Sequence, residues 1–146
     1  MRKPKWKSGA TTGSEWETTF NQWLHDANIE FYEDKTLSTG KRRSKDIKCD
    51  RRCVVDGKDV FIELKSTTSK VNITYKLYDD GEQWKLKIHQ IRKMDYLIVN
   101  YRDAETYVIT KKQFLAFACS VKKNSISYKD IKKIGKVITD AEWLKE

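Results

Sequence analysis

The stretch from Asp50 to Lys65, DRRCVVDGKDVFIELK, constrains this chain more than any other. Val54-Val55 reads as the end of one β-strand. Val60-Phe61-Ile62-Glu63-Leu64-Lys65 reads as a second, because β-branched and aromatic residues suit a pleated, half-buried surface. Between them Asp56-Gly57 is a tight-turn signal: Asp hydrogen-bonds its own backbone and Gly supplies a positive φ. Side chains alternate faces along a strand, so Glu63 and Lys65 point one way and Val60, Ile62 and Leu64 the other. The hairpin folds Asp50 back beside that polar pair. Two carboxylates and one lysine at one spot can hold a hard divalent cation and place a water next to it.

The spacing itself, an Asp, a Glu thirteen positions on and a Lys two beyond that, resembles the PD-(D/E)XK nuclease motif. Within that superfamily the chain is most similar to the RecU-type Holliday-junction resolvases, which separate the Asp from the E-x-K by a strand–turn–strand of this length. His89-Gln90-Ile91 resembles a phrase of the same family. So does Tyr107-Val108-Ile109-Thr110 followed by Phe114-Leu115-Ala116-Phe117. Gly13-x-x-x-Glu17 resembles the first-helix Glu of several resolvase families. The resemblance spans roughly residues 13 to 117. It departs from the pattern at Cys49, where the family usually has Pro. The closing Ala141-Glu142-Trp143-Leu144-Lys145-Glu146 is similar to an ending of the small bacteriophage endonuclease I, which points to a phage relative.

The resemblance implies an α/β fold with a restriction-endonuclease-like core in the order α-β-β-β-α-β. A mixed central sheet of four or five strands would lie between flanking helices. It implies Asp50, Glu63 and the Leu64 carbonyl as ligands of Mg2+, with Mn2+ substituting. Lys65 would orient the attacking water, and Glu17 would approach the metal directly or through water. Gln90 would hydrogen-bond the water or the substrate phosphate. Asp46, seventeen positions before Glu63, fits the looser superfamily spacing and rivals Asp50 as the ligand. Symmetric cutting of a four-way junction needs two active sites, which implies a homodimer.

Length supports a single domain at 13–146 preceded by a basic arm at 1–12. Charged residues reach 35%, but five Trp, seven Tyr and five Phe are enough for one core. The net charge is +9, from 30 Lys and Arg against 21 Asp and Glu, and this favours a polyanion, chiefly DNA. Arg2, Lys3, Lys5 and Lys7 on the arm, and Lys41, Arg42, Arg43 and Lys45 ahead of the acidic site, are the candidate phosphate contacts. No apolar run has the length of a membrane span and the N-terminus has no signal-peptide pattern, so a cytoplasmic protein with no membrane partner is expected. Three cysteines, Cys49, Cys53 and Cys119, with two isolated histidines lack the paired spacing of a zinc site.

Along the chain, residues 14–28 read as a helix. Ser14 would be its N-cap with Glu17 in a capping box, Asn28 its C-cap, and Trp16, Phe20, Trp23, Leu24 and Ala27 its core face. Ile29–Tyr32 begins a strand, and Val71–Tyr78 is a weak strand or an extended loop. Residues 82–94 lead into or form a helix. Tyr96–Val99 is apolar throughout, as a central strand is. Thr106–Ile109 is the next strand and Lys112–Ser120 a helix. The tail, with Ile126, Ile131, Ile138, Trp143 and Leu144, is apolar enough to pack on the domain or on a partner.

Three functions fit these features. The first is a metal-dependent endonuclease that resolves four-way junctions by paired phosphodiester hydrolysis. The second is a sequence-selective restriction or homing endonuclease on the same fold, with residues 66–88 entering a groove. The third is a non-catalytic basic DNA-binding protein, in which Glu63 and Lys65 form an ordinary same-face ion pair.

Overall fold

The computed structural model describes residues 12–33, 50–75, 86, 88–121 and 124–146. Helix α1 (Thr12–Asp26) opens the fold, and strands β1 (Glu30–Glu33), β2 (Arg51–Val55), β3 (Lys58–Thr67) and β4 (Ile73–Thr74) follow. Next come helix α2 (Ile88–Lys93), strands β5 (Tyr96–Tyr101) and β6 (Thr106–Thr110), and helix α3 (Lys111–Ser120). Strand β7 (Ser125–Ile126), helix α4 (Tyr128–Ile134), strand β8 (Lys136–Ile138) and a 3-10 turn (Glu142–Lys145) close it. The expected α-β-β-β-α-β order is present as α1-β1-β2-β3-α2-β5, with the short β4 inserted.

The main sheet runs β1-β2-β3-β5-β6-β8. Only β3 and β5 are parallel; the other neighbours are antiparallel. Among the described residues six strands stand where four or five were expected. The added edge is β8, three residues of the tail that pair Ile138 with Thr106, too short for any alternation to reveal them. A second sheet pairs β4 with β7. Strand formation in 71–78 is therefore confined to Ile73–Thr74 among the described residues. Within 82–94, α2 covers Ile88–Lys93, and Leu86 lies outside it with its N–H donating to the Thr74 carbonyl at 2.9 Å; residues 82–85 and 87 lie outside the described residues.

Each sheet face has its own core. Ile62, Leu64, Ile98 and Val108 pack under Trp16, Phe20 and Leu24 of α1. On the other face Leu97, Val99, Tyr107 and Ile109 meet Ile91, Met94, Phe114 and Ile131 from α2, α3 and α4. Strand β5 contributes to both faces, so its run Leu97-Ile98-Val99 is buried without a break. The tail packs on the domain through Ile126, Ile131, Ile138 and Leu144.

Local chemistry fixes the joints that matter for the site. At the β2–β3 tip, Asp56 and Gly57 have φ of 53° and 75°. Two positive values across a two-residue loop are those of a type I′ turn, whose twist matches a hairpin. Helix α1 ends in a left-handed Asn28, φ 59°. The Asn28 N–H donates to the His25 carbonyl at 3.0 Å and the Ile29 N–H to the Leu24 carbonyl at 2.9 Å. That bond pair is a Schellman motif, closed by apolar contact between Leu24 and Ile29 in one core. The helix starts at Thr12, so Ser14 lies inside its first turn and not at the N-cap. Glu17 reaches across to Arg51.

Candidate active site

The hairpin register builds the site. Pairs run from Val55↔Lys58 to Arg51↔Ile62, each step gaining one residue on β3 as it loses one on β2. The next step sets Asp50 opposite Glu63, on the sheet face away from α1. There the Asp50 carboxylate accepts the Leu64 N–H at 2.9 Å, just beyond the last β2–β3 pair. Glu63 lies in the body of β3 and is 1% exposed.

Three neighbours surround the Glu63 carboxylate. Gln90 donates from Nε2 to Oε2 at 3.0 Å. Lys65 holds its Nζ 3.4 Å from the same oxygen and stays about one-fifth open to solvent. The Asp50 carboxylate faces it as a like charge. Burial pushes the Glu63 carboxyl well above the ordinary glutamate range, and the charge of Asp50 pushes it the same way. The charge of Lys65 opposes both. The second Glu63 oxygen, Oε1, is buried with no hydrogen-bond partner.

A buried carboxylate that has one oxygen without a donor and another carboxylate beside it calls for a proton or a cation. Hard oxygen donors suit Mg2+ or Mn2+, and Asp50, Glu63 and the Leu64 carbonyl are the residues that would hold it. Among the described residues no three His, Cys, Asp or Glu side chains gather. A set of two carboxylates fits Mg2+, which keeps several of its waters. Gln90 arrives because the parallel β3–β5 link needs a crossover, and its α2 buries Ile91 in the core, with Met94 just beyond the helix.

Behind Asp50 stands a residue that sequence reasoning missed. Arg51 is 2% exposed. Its Nη1 donates to the Asp50 carbonyl at 2.7 Å, its Nε to Asn21 Oδ1 at 2.9 Å and its Nη2 to Glu17 Oε1 at 3.2 Å. Glu33 Oε1 lies 3.6 Å away, and Asn21 ties Glu33 in turn at 3.2 Å. The signal was available: strand alternation puts Arg51 with Cys53 on the face that α1 covers, where a guanidinium needs partners. Glu17 is therefore brought to Asp50's neighbour, and the bond it makes is to Arg51.

The expected phosphate contacts Arg2, Lys3, Lys5, Lys7, Lys41, Arg42, Arg43 and Lys45 lie outside the described residues, as do Cys49 and the rival ligand Asp46. The described residues nearest to them in sequence are Glu33, which pairs with Arg51, and Thr12, which opens α1. Elsewhere, a cavity of about 630 Å3 between α3 and α4 is lined by Phe117, Val121 and Ile134. Its one carboxylate, Asp130, is committed to capping α4 through Ser127. No described helix is long and apolar enough to cross a membrane.

No protein-family model matches this sequence, and no curated protein matches it. In three dimensions the chain is similar to Hjc, a Holliday junction resolvase from the archaeal hyperthermophile Archaeoglobus fulgidus. The TM-score is 0.53 at 13% identity, covering 86% of this chain and 95% of that one. The fold is restriction-endonuclease-like: a mixed central sheet flanked by helices.

Proposed function

We propose that this chain is a metal-dependent DNA endonuclease of the RecU-type resolvase kind, hydrolysing one phosphodiester in each of two strands of a four-way junction. One observation carries the reading: the Asp50–Glu63 pair, with a buried, unpartnered Glu63 oxygen, flanked by Lys65. The similarity of the fold to a junction resolvase supports the same reading. So does a net charge of +9.

Asp50 and Glu63, with the Leu64 carbonyl, would hold the cation. When bound, it neutralises charge on the scissile phosphate and acidifies water. Gln90 fixes the Glu63 carboxylate by donating to Oε2. Lys65, tethered to Glu63 yet open to solvent, positions the attacking water and offsets charge that builds on the phosphoryl oxygens. The 3′ oxygen leaves as water adds to phosphorus. Glu17 acts from behind, through Arg51. Residues 1–12 and 41–45 grip the phosphates of the arms without reading bases. Two copies place two sites on one junction.

The test is a synthetic four-way junction beside its linear duplex arms, each with Mg2+, with EDTA, and with Glu63→Ala. Paired nicks in the junction alone, dependent on metal and lost in the variant, are expected. Cutting of linear duplex at fixed sites would instead establish a sequence-selective enzyme. Tight binding with no cutting in Mg2+ or Mn2+ would leave a non-catalytic DNA-binding protein.

A further inference from the structure

The geometry points to Arg51 as a positioning residue for the metal site: its buried guanidinium clamps the main chain at Asp50 against α1 and β1, so that the Asp50 carboxylate meets Glu63. The inference rests on the metal-dependent reading of those two acids.

Asp50 lies one residue outside β2, beyond the last ladder pair. Among the described residues no strand pair includes it, and Arg51 constrains its peptide by donating to the Asp50 carbonyl at 2.7 Å. The guanidinium is itself fixed from three sides, by Asn21 and Glu17 of α1 and by Glu33 of β1. A planar fork with five donors can serve all of these at once, and a lysine ammonium cannot. The desolvation of a 2% exposed cation is offset only by so full a set of partners, Glu17 and Glu33 supplying the charge. The clamp ends at the Asp50 carboxylate, which accepts the Leu64 N–H. Arg51 faces α1 and Glu63 faces α2, so the guanidinium acts through the backbone and does not enter the metal set. Groups that orient metal ligands from behind commonly change affinity about 10- to 100-fold when removed.

The full-length protein carries the test, as wild type, Arg51→Met and Arg51→Lys. Two readouts are independent of turnover. In metal-free protein, amide exchange at Leu64 reports whether the Asp50 carboxylate is still in place, and exchange at Ile98 in β5 reports the intact sheet. Calorimetry with Mn2+ alone gives the affinity. Both variants are expected to exchange Leu64 at least ~10-fold faster with Ile98 unchanged. Both should bind Mn2+ about 10- to 100-fold more weakly, with Lys failing to restore the fork. If substitution of Arg51 prevents folding, Asn21→Ala keeps the guanidinium and removes one strut. It should weaken Mn2+ by about 10-fold, at the low end of the same range. Wild-type Leu64 protection and Mn2+ affinity in a folded variant, or full recovery by Lys, would overturn the inference. Failure of the wild type itself to bind Mn2+ would instead overturn the metal reading. Leu64 exchange would then still decide whether Arg51 positions Asp50.

Discussion

Glu63→Gln should stabilise the metal-free protein while removing its response to metal. In the wild type the Gln90 amide and Lys65 both lie on Oε2, and Oε1 is buried without a donor. A glutamine carbonyl can keep the Oε2 contacts. Its amide would then occupy the Oε1 position and donate to the Asp50 carboxylate. Leaving a buried polar group unsatisfied costs about 1–3 kcal/mol, so the variant should gain that amount. For a chain of this size the gain corresponds to roughly 2–12 °C in Tm. Loss of the Lys65 partner subtracts little, since that ammonium keeps solvent.

The pH dependence has a definite sign. Burial, then Asp50, raises the Glu63 carboxyl above the value it has in the unfolded chain. A group raised on folding contributes stability that is complete below the unfolded pKa and lost as pH rises through the folded one. The advantage of Glu63→Gln should therefore be small near pH 4, grow with pH, and level off above the folded value. Added Mg2+ reverses the ranking. At about 100 times its dissociation constant a cation adds about 2.7 kcal/mol to the wild type, and it should add almost nothing to the variant. The assay is thermal unfolding of both proteins across pH 4–9, in EDTA and in Mg2+. A variant less stable than wild type in EDTA at pH 8, or one shifted equally by Mg2+, would refute the reasoning.

Other outcomes can be stated briefly. Gln90→Leu removes the donor to Glu63 Oε2 and should slow junction cleavage about 10- to 100-fold with junction affinity in EDTA unchanged; single-turnover kinetics beside a binding titration check this. Gly135→Ala would put a Cβ 2.8 Å from both Ile109 Cγ2 and the Ile131 carbonyl, so a loss of about 1–3 kcal/mol is expected in urea unfolding. Asn28→Ala forces a residue with a Cβ and no side-chain amide into the left-handed region and should lose about 1 kcal/mol by the same assay, whereas Asn28→Gly should not. Phe20→Ala empties a fully buried position under α1 and should lose about 3–5 kcal/mol.

The parts legible in the sequence are those where one local rule dominates. The β2–β3 hairpin follows from an Asp-Gly turn between β-branched runs, and its register alone delivers Asp50 to Glu63. Helix α1 follows from the spacing of Trp16, Phe20, Leu24 and Ala27, all of them buried. The apolar run of β5 shows as a central strand. What was hidden depends on partners far apart in sequence. Strand β8 exists because Val137 and Ile138 find the free edge of β6, which no pattern within three residues records. Leu86 continues the apolar spacing of Ile91 yet is drawn off by the Thr74 carbonyl. Arg51 looked like one basic residue among many, and its meaning came from α1 lying above it. Glu17 was expected to approach the metal directly or through water, and among the described residues it pairs with that arginine.

The turn at Asp56-Gly57 gives the motif a tolerance that its spelling conceals. The thirteen-position spacing measures a path out along β2 and back along β3, and the acids stay opposed as long as the two arms stay equal. Residues added at the exposed tip leave that equality intact, at the modest entropy of a longer loop. A single residue added within either arm would slip Asp50 off Glu63 and turn it to the other face. Distant relatives with longer tips would thus escape any search at fixed spacing. The same tip is the place to graft a tag or probe while leaving the chemistry at the other end of the hairpin undisturbed.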